Sequence, residues 1–380
     1  MHCNNMAQTI NDTAFSLITA ILPKESAKRI LDKALSIQIS TNVIINARGT
    51  LYRDKWYQKF KPAINPEQTI FELLVPANLV QAIMDRISVA AGLHEGKRGA
   101  LFCVPCSHAV FMNPGVFPGT LNIENVSATS INYNNQLTAI YCLVQKGMAE
   151  EVANAAIRAG SSAPSIVYVQ GQGFRDRLGL LRIAISPEKE LIRAVVDHYD
   201  VEPVLEAMIN EGKLDTPGRG YIYFLPVEKG IINMAAVTSD KNELASRQQV
   251  IKAIDELKGS SAWRIQSESE KSNRRKFLTN VYRLHCVVEK GKGEHLIQAA
   301  IQAGAPGASI THGLAGGGVM HKQSSSVSVY REMEVIELTM LPEKFEPVLS
   351  AIIQSAKDNG NNEAYFYSHV LPKALTFTGG

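Results

Sequence analysis

Apolar and polar positions along this chain follow two rhythms, one of strands and one of helices, in a set order. Leu137–Gln145 is a nearly unbroken apolar run of strand length. The next stretch, to Gly160, puts Glu150, Glu151, Asn154 and Arg158 on one helical face, which predicts an amphipathic helix. Ser165–Gln170 reads as a second strand leading into Gly171-Gln172-Gly173 and an arginine-bearing loop. A third strand, Leu191–Val196, precedes a helix with Val201, Val204, Leu205, Met208 and Ile209 on its apolar side. Asp200 is the expected N-cap, and Pro203 falls in the first turn, where its missing N–H costs nothing. Gly212-Lys213 and Gly218-Arg219-Gly220 then lead into a last strand, Tyr221–Val227. The order is a split βαβ, or ferredoxin-like, unit.

The unit repeats. Lys290-Gly291 follows Lys146-Gly147 by 144 positions, and the same shift carries Cys142 to Cys286 and Tyr221 with Tyr223 to Tyr365 with Tyr367. A more divergent copy lies upstream: Lys24 precedes Lys146 by 122 positions, and Arg98-Gly99 precedes Arg219-Gly220 by 121. One register kept through strand, helix, loop and strand points to internal triplication. The expected organisation is repeat 1 at 13–112, a linker at 113–134, repeat 2 at 135–234, a linker at 235–279 and repeat 3 at 280–377. The second linker is expected to carry a short helix over 242–257, introduced by Ser239-Asp240 with Glu243 as capping-box partner. In repeat 1 the first helix is placed at Glu25–Ile37, and the central loop, Arg48–Lys61, is both basic and aromatic. That loop could stack and neutralise a nucleotide, or simply lie against a neighbouring repeat. In repeat 3 the run Ala315–Gly318 predicts a flexible loop tip.

Composition narrows the classes. With 380 residues, 45% of them hydrophobic, the chain can bury substantial cores. A net charge of +3 argues against a nucleic-acid coat. Five cysteines fit no disulfide framework and suggest a reducing, cytoplasmic setting. The N-terminus lacks the pattern of a signal peptide, and no run is long and apolar enough to predict a membrane span.

Repeat 2 resembles the P-II signalling proteins. Val169-Gln-Gly-Gln-Gly173 looks like the strand that enters that family's T-loop, and Pro187 to Asp197 like the returning strand. Gly218-Arg219-Gly220 before Ile222–Val227 looks like its phosphate-cradling B-loop. The resemblance implies an α+β fold of three tandem ferredoxin-like domains packed as a single-chain pseudo-trimer. It also implies a non-catalytic regulator that binds a small anionic ligand, with an adenine nucleotide first among candidates, in clefts between repeats. Its loops would act on a protein target, which could be an enzyme, a transporter or a regulator. Arg175 stands where 2-oxoglutarate sensors carry glutamine, and Tyr221 where the family has the B-loop's closing lysine. An enzyme built on an inter-repeat cleft and a ligand-free structural adaptor are the alternatives.

The candidate ligand-binding residues are Gly171, Gly173, Lys213, Gly218, Arg219 and Gly220, with a second set at Gly96, Lys97, Arg98 and Gly99. Backbone N–H groups of glycine turns flanked by cations suit a phosphate, though the same glycines could serve only to reverse the chain. Cys103-Val-Pro-Cys106-Ser-His108 invites a metal or redox reading. Its place on a strand, where Cys103 and Cys106 would face opposite ways, favours packing instead. No catalytic constellation, metal site or cofactor is expected from spacing.

Overall fold

The structure is a computed structural model and describes residues 8–9, 14–27, 40–52, 66–113, 131–173, 187–234, 236–238, 243–244, 275, 277–322 and 325–376. Repeat 1 supplies β1 (Phe15–Pro23), β2 (Asn42–Gly49), β3 (Glu67–Pro76), α1 (Val80–Ala91), β4 (Gly99–Pro105) and an added strand β5 (His108–Phe111). Repeat 2 supplies β6 (Leu137–Gln145), α2 (Ala149–Ala159), β7 (Ser165–Gly173), β8 (Glu188–Asp197), α3 (Val201–Gly212), β9 (Gly220–Val227) and β10 (Lys229–Asn233). Repeat 3 supplies β11 (Leu278–Glu289), α4 (Gly293–Gln302), β12 (Gly307–Lys322), β13 (Ser325–Met340), α5 (Pro342–Asp358) and β14 (Tyr365–Thr376).

Within each repeat the hydrogen-bonded strand order is the same: β2-β3-β1-β4, β7-β8-β6-β9 and β12-β13-β11-β14. These strands do not make three ferredoxin-like domains. They belong to one continuous sheet, and nine of them (β6, β8, β7, β2, β12, β13, β11, β14 and β9, in order) close into an antiparallel barrel that the other five extend. The expected single-chain pseudo-trimer of separate domains is therefore corrected to a β-barrel. The physical reason lies at the strand edges. Faces packed across a gap would leave each four-stranded sheet with two rows of unpaired N–H and C=O groups, and joining edge to edge satisfies them.

The joins run head to tail. β5 of repeat 1 pairs with β14 of repeat 3, matching His108 with Ser368 and Phe111 with Tyr365. β10 of repeat 2 pairs with β4 of repeat 1, and the end of β14 pairs with β9 of repeat 2, matching Tyr221 with Thr376. Burial follows from this closure. One core fills the inside of the sheet with residues of all three repeats, among them Phe15, Val43, Leu143, Val195, Val335 and Leu371. Three outer cores pack helices against the other face: α1 on repeat 1, α2 with α3 on repeat 2, and α4 with α5 on repeat 3. Strands covered on both faces explain the unbroken apolar run of β6.

Several local expectations change. Asp200 stands at the N-cap of α3 as expected but makes no side-chain capping bond there, while Asp197 caps the short turn before it, accepting from the Tyr199 N–H at 3.2 Å. Ala315–Gly318 lies within the long β12–β13 hairpin, with a register shift between Gly316 and Gly318, and not at a loop tip. Glu243–Leu244 is extended and pairs with Ala236–Val237, so the expected helix does not begin there; its remainder lies outside the described residues. The first helix of repeat 1 is described only to Ala27, and of the basic loop Arg48–Lys61 the part 53–61 lies outside the described residues. No helix among the described residues is long and apolar enough to cross a membrane.

Candidate functional site

Antiparallel register puts the glycine motifs of repeat 2 at one end of its sheet. Gln170 pairs with Glu188, Lys189 with Gln145, and Val144 with Gly220. Gly171 and Gly220 thus sit at the same end but on the outer strands of four, about 14 Å apart at a typical strand spacing. The structure therefore does not bring the two glycine motifs into one contact set. Between them lie Lys189, Gln145 and the ion pair of Lys146 with Glu188, at 3.0 Å. Gln145 donates to the Gly218 carbonyl at 3.1 Å and ties the strand end to the turn.

The turn itself has a clear local cause. Lys213 ends α3 with a left-handed φ of 50°. Gly218 follows at φ 72°, and Gly220 at φ 141° lies so close to β6 that a Cβ would strike the Leu143 carbonyl. Both glycines are required by the turn and by strand contact, whatever binds there. The cations are a separate matter. Among the described residues, the Lys213 and Arg219 side chains have no hydrogen-bond or ion-pair partner, and Lys213 is exposed. Gly171 and Gly173 lie on extended backbone in β7, paired with Ser309 and Gly307 of repeat 3. Their N–H groups run along a strand and do not converge as a cradle.

In repeat 1, Gly96 and Gly99 take φ of 85° and 149°, and Lys97 lies 3.5 Å from Glu95. Arg98 and Gly99 line a small pocket with Pro66, Glu67, Gln68 and Met234 of repeat 2. Repeat 3 keeps a lysine, Lys357, at the place of Lys213, but has Asn362, Glu363 and Ala364 where repeat 2 has Gly218, Arg219 and Gly220.

The Lys-Gly turns shared by repeats 2 and 3 prove to be filled anion sites. The Glu190 carboxylate accepts from the N–H groups of Gly147 at 2.8 Å and Ala149 at 3.2 Å, at the start of α2. Arg48 of repeat 1 reaches the same carboxylate at 3.0 Å and Glu150 at 2.5 Å. In repeat 3, Glu334 accepts from Gly291 at 3.0 Å and Gly293 at 3.1 Å. These helix N-termini are neutralised by the chain's own carboxylates.

Cys103 and Cys106 carry free thiols; burial pushes Cys103 up to about 11 and Cys106 higher still. His108 turns away from them, to Ser368 at 3.0 Å. Among the described residues no group of His, Cys, Asp and Glu is arranged to hold a metal.

The largest feature missed from sequence lies inside the barrel. Arg193 of repeat 2 pairs with Glu72 of repeat 1, both buried. Arg283, fully buried, lies 2.6 Å from Glu337 but off the hydrogen-bond line, so the two form an ion pair without a well-aligned bond. Arg283 also donates to the Tyr221 hydroxyl at 2.9 Å and lies over the Tyr223 ring at 4.4 Å. His285 stacks on Tyr367 at 4.5 Å, and His369 meets the Pro105 carbonyl at 3.0 Å. Burial works against both guanidinium charges, yet Glu72 and Glu337 hold Arg193 and Arg283 above their ordinary values. Burial, with Arg283 nearby, lowers His285 well below its usual range and takes His369 to about 4. The signal was present in the sequence: charges at Glu72 within Ile70–Val75, Arg193 within Leu191–Val196, Arg283 within Val281–Val288 and Glu337 within Val335–Leu338 interrupt apolar runs.

No family model matches the sequence, and no curated protein matches it. Among solved structures, the PII protein of Arabidopsis thaliana bound to citrate is similar at 21% identity over 25% of this chain and 80% of that one, with a TM-score of 0.20. A microcompartments protein from Desulfitobacterium hafniense DCB matches at 10% identity, over 63% of this chain and 95% of that one, with a TM-score of 0.18. The aspartate kinase from Synechocystis matches at 9% identity, over 94% and 43%, with a TM-score of 0.19. The likeness to the PII protein is partial and extends to a quarter of the chain, and at these scores none of the three assigns a family.

Proposed function

We propose that the end of the repeat 2 sheet binds a small phosphate-bearing anion, and that the protein is a regulator of a protein target rather than an enzyme. One observation carries the reading: Lys213 and Arg219 flank a glycine turn with no partner for either charge among the described residues. Lys189 and Lys146, the latter shared with Glu188, lie along the sheet end toward Gly171, so an extended anion such as the phosphate chain of an adenine nucleotide meets more cations there than a compact one. The filled carboxylate sites at Gly147 and Gly291 leave the Gly218–Gly220 turn as the better anion site.

Calorimetry of the full chain with ATP, ADP, AMP and inorganic phosphate tests the proposal. Arg219→Ala is expected to weaken binding about tenfold, the effect of losing one charge-assisted bond. Arg98→Ala should cost less and Lys357→Ala nothing. Equal losses from all three, or none from Arg219→Ala, would reject the placement, and turnover of the nucleotide would move the protein to the enzymes.

A further inference from the structure

Glu72, Arg193 and Glu337 occupy one and the same place in the three repeats. Each lies on the strand that returns toward the first strand, 121 and 144 positions apart, the spacing that relates the repeats elsewhere. All three side chains are buried inside the sheet. A barrel made from three copies of one repeat would bring three like charges together at this level, with no water to screen them.

The three boundaries between repeats are also bridged by three different chemistries. Repeats 1 and 2 meet through the ion pair of Glu72 with Arg193. Repeats 2 and 3 meet where Arg283 donates to the Tyr221 hydroxyl at 2.9 Å and covers the Tyr223 ring. Repeats 3 and 1 meet where His369 contacts the Pro105 carbonyl at 3.0 Å. The counterparts of Arg283 are Leu17 and Ala139, and those of His369 are Val104 and Leu225, so neither of these two contacts can form with a different repeat in that place.

We propose that the inner face of the sheet is a self-recognition surface: its buried charges admit each repeat only at its own place, and bar a non-equivalent repeat of a second chain. Ladder hydrogen bonds cannot supply that choice, because backbone edges are alike in every repeat. Apolar packing discriminates weakly, since the inner positions around the charges are mostly aliphatic and aromatic in all three repeats. A charge placed opposite its like is the strong term against a wrong neighbour. The partner this surface fits is the remainder of the same chain.

The test refolds full-length variants from denaturant and reads mass by light scattering. In the neutral variant, Glu72→Leu, Arg193→Met, Arg283→Met and Glu337→Leu together, packing volume is kept while the discrimination is lost. Its monomer yield should fall at least roughly twofold as mismatched repeats of separate chains pair, without a matching loss of melting temperature. A neutral variant that refolds as cleanly as the unmodified chain overturns the proposal. The second arm does not depend on that variant folding. Arg193→Glu alone should lose the monomer, and Arg193→Glu with Glu72→Arg should recover it. Failure of the transposed pair to recover what the single reversal loses would show that the charges do not choose the neighbour.

Discussion

Repeats 2 and 3 align over their whole length without a gap, yet their outsides match and their insides do not. At the sheet end, Lys146 with Glu188 and Gly147 with Glu190 recur as Lys290 with Glu332 and Gly291 with Glu334, at nearly the same distances. Inside the barrel, Arg193 is answered by Glu337, Ala139 by Arg283, Tyr141 by His285 and Leu225 by His369. The outer turn solves a local problem, an uncapped helix N-terminus, and one solution serves each copy. The inner face solves a joint problem, because its side chains meet those of the other repeats. Complementary charges there require the copies to differ.

The sharpest way to break this contrast is to remove one interior charge. Glu337→Ala leaves Arg283 buried without its carboxylate, and a stranded buried ion costs about 3–5 kcal/mol. Urea unfolding should show that loss, with Glu337→Gln intermediate because it keeps a polar acceptor. A loss below about 1 kcal/mol from Glu337→Ala would mean that water reaches Arg283 and that the interior is not dry.

Legibility in the sequence divided along the same line. Periodicity and spacing located β6, β7, α2 and α3, and the glycines at 218 and 220, because each depends on residues a few positions apart. Barrel closure was not legible: pairing of Gly171 with Ser309, or of Tyr221 with Thr376, joins edges far apart in the chain and leaves no local pattern. The interior charges were hidden for a related reason. Arg193 within Leu191–Val196 and Arg283 within Val281–Val288 read as stray charges in apolar runs, and only the positions they face explain them. Candidate residues Lys213 and Arg219 could be named from sequence, but the distance from them to Gly171 and Gly173 depends on strand order.

A smaller effect comes from the interior histidines. His369 and His285 are held neutral inside the fold, with folded pKa values below their unfolded ones. Above about pH 6.5 both states are neutral and nothing is lost. As pH falls below that value the unfolded chain takes up protons that the folded chain refuses, so stability declines until the folded pKa, about 4 for His369, is reached. The slope is roughly 1.4 kcal/mol per pH unit for each histidine at most, hence about 2–3 kcal/mol between pH 6 and 5 for the two. Replacing both by phenylalanine should flatten this part of the curve. If Arg283, Glu337 and the stacked Tyr367 tolerate the change and the slope persists, the protons are going elsewhere.

The least effect is expected where the two repeats are most alike. Lys146 and Lys290 make ion pairs of 3.0 and 2.8 Å with Glu188 and Glu332, and both lysines are raised by hydrogen bonding to those carboxylates. The pairs are wide open to water, which screens the charges and leaves long side chains costly to order. Lys146→Ala and Lys290→Ala should each leave the unfolding midpoint unchanged within error, at low and at high salt. The two substitutions part company only if the repeat 2 sheet end binds an anion. Lys146→Ala should then weaken nucleotide binding modestly while Lys290→Ala does not, since repeat 3 has Glu363 in place of Arg219 and lacks both turn glycines. Identical binding by both variants would confine any anion to the Gly218–Gly220 turn and exclude the basic edge beside it.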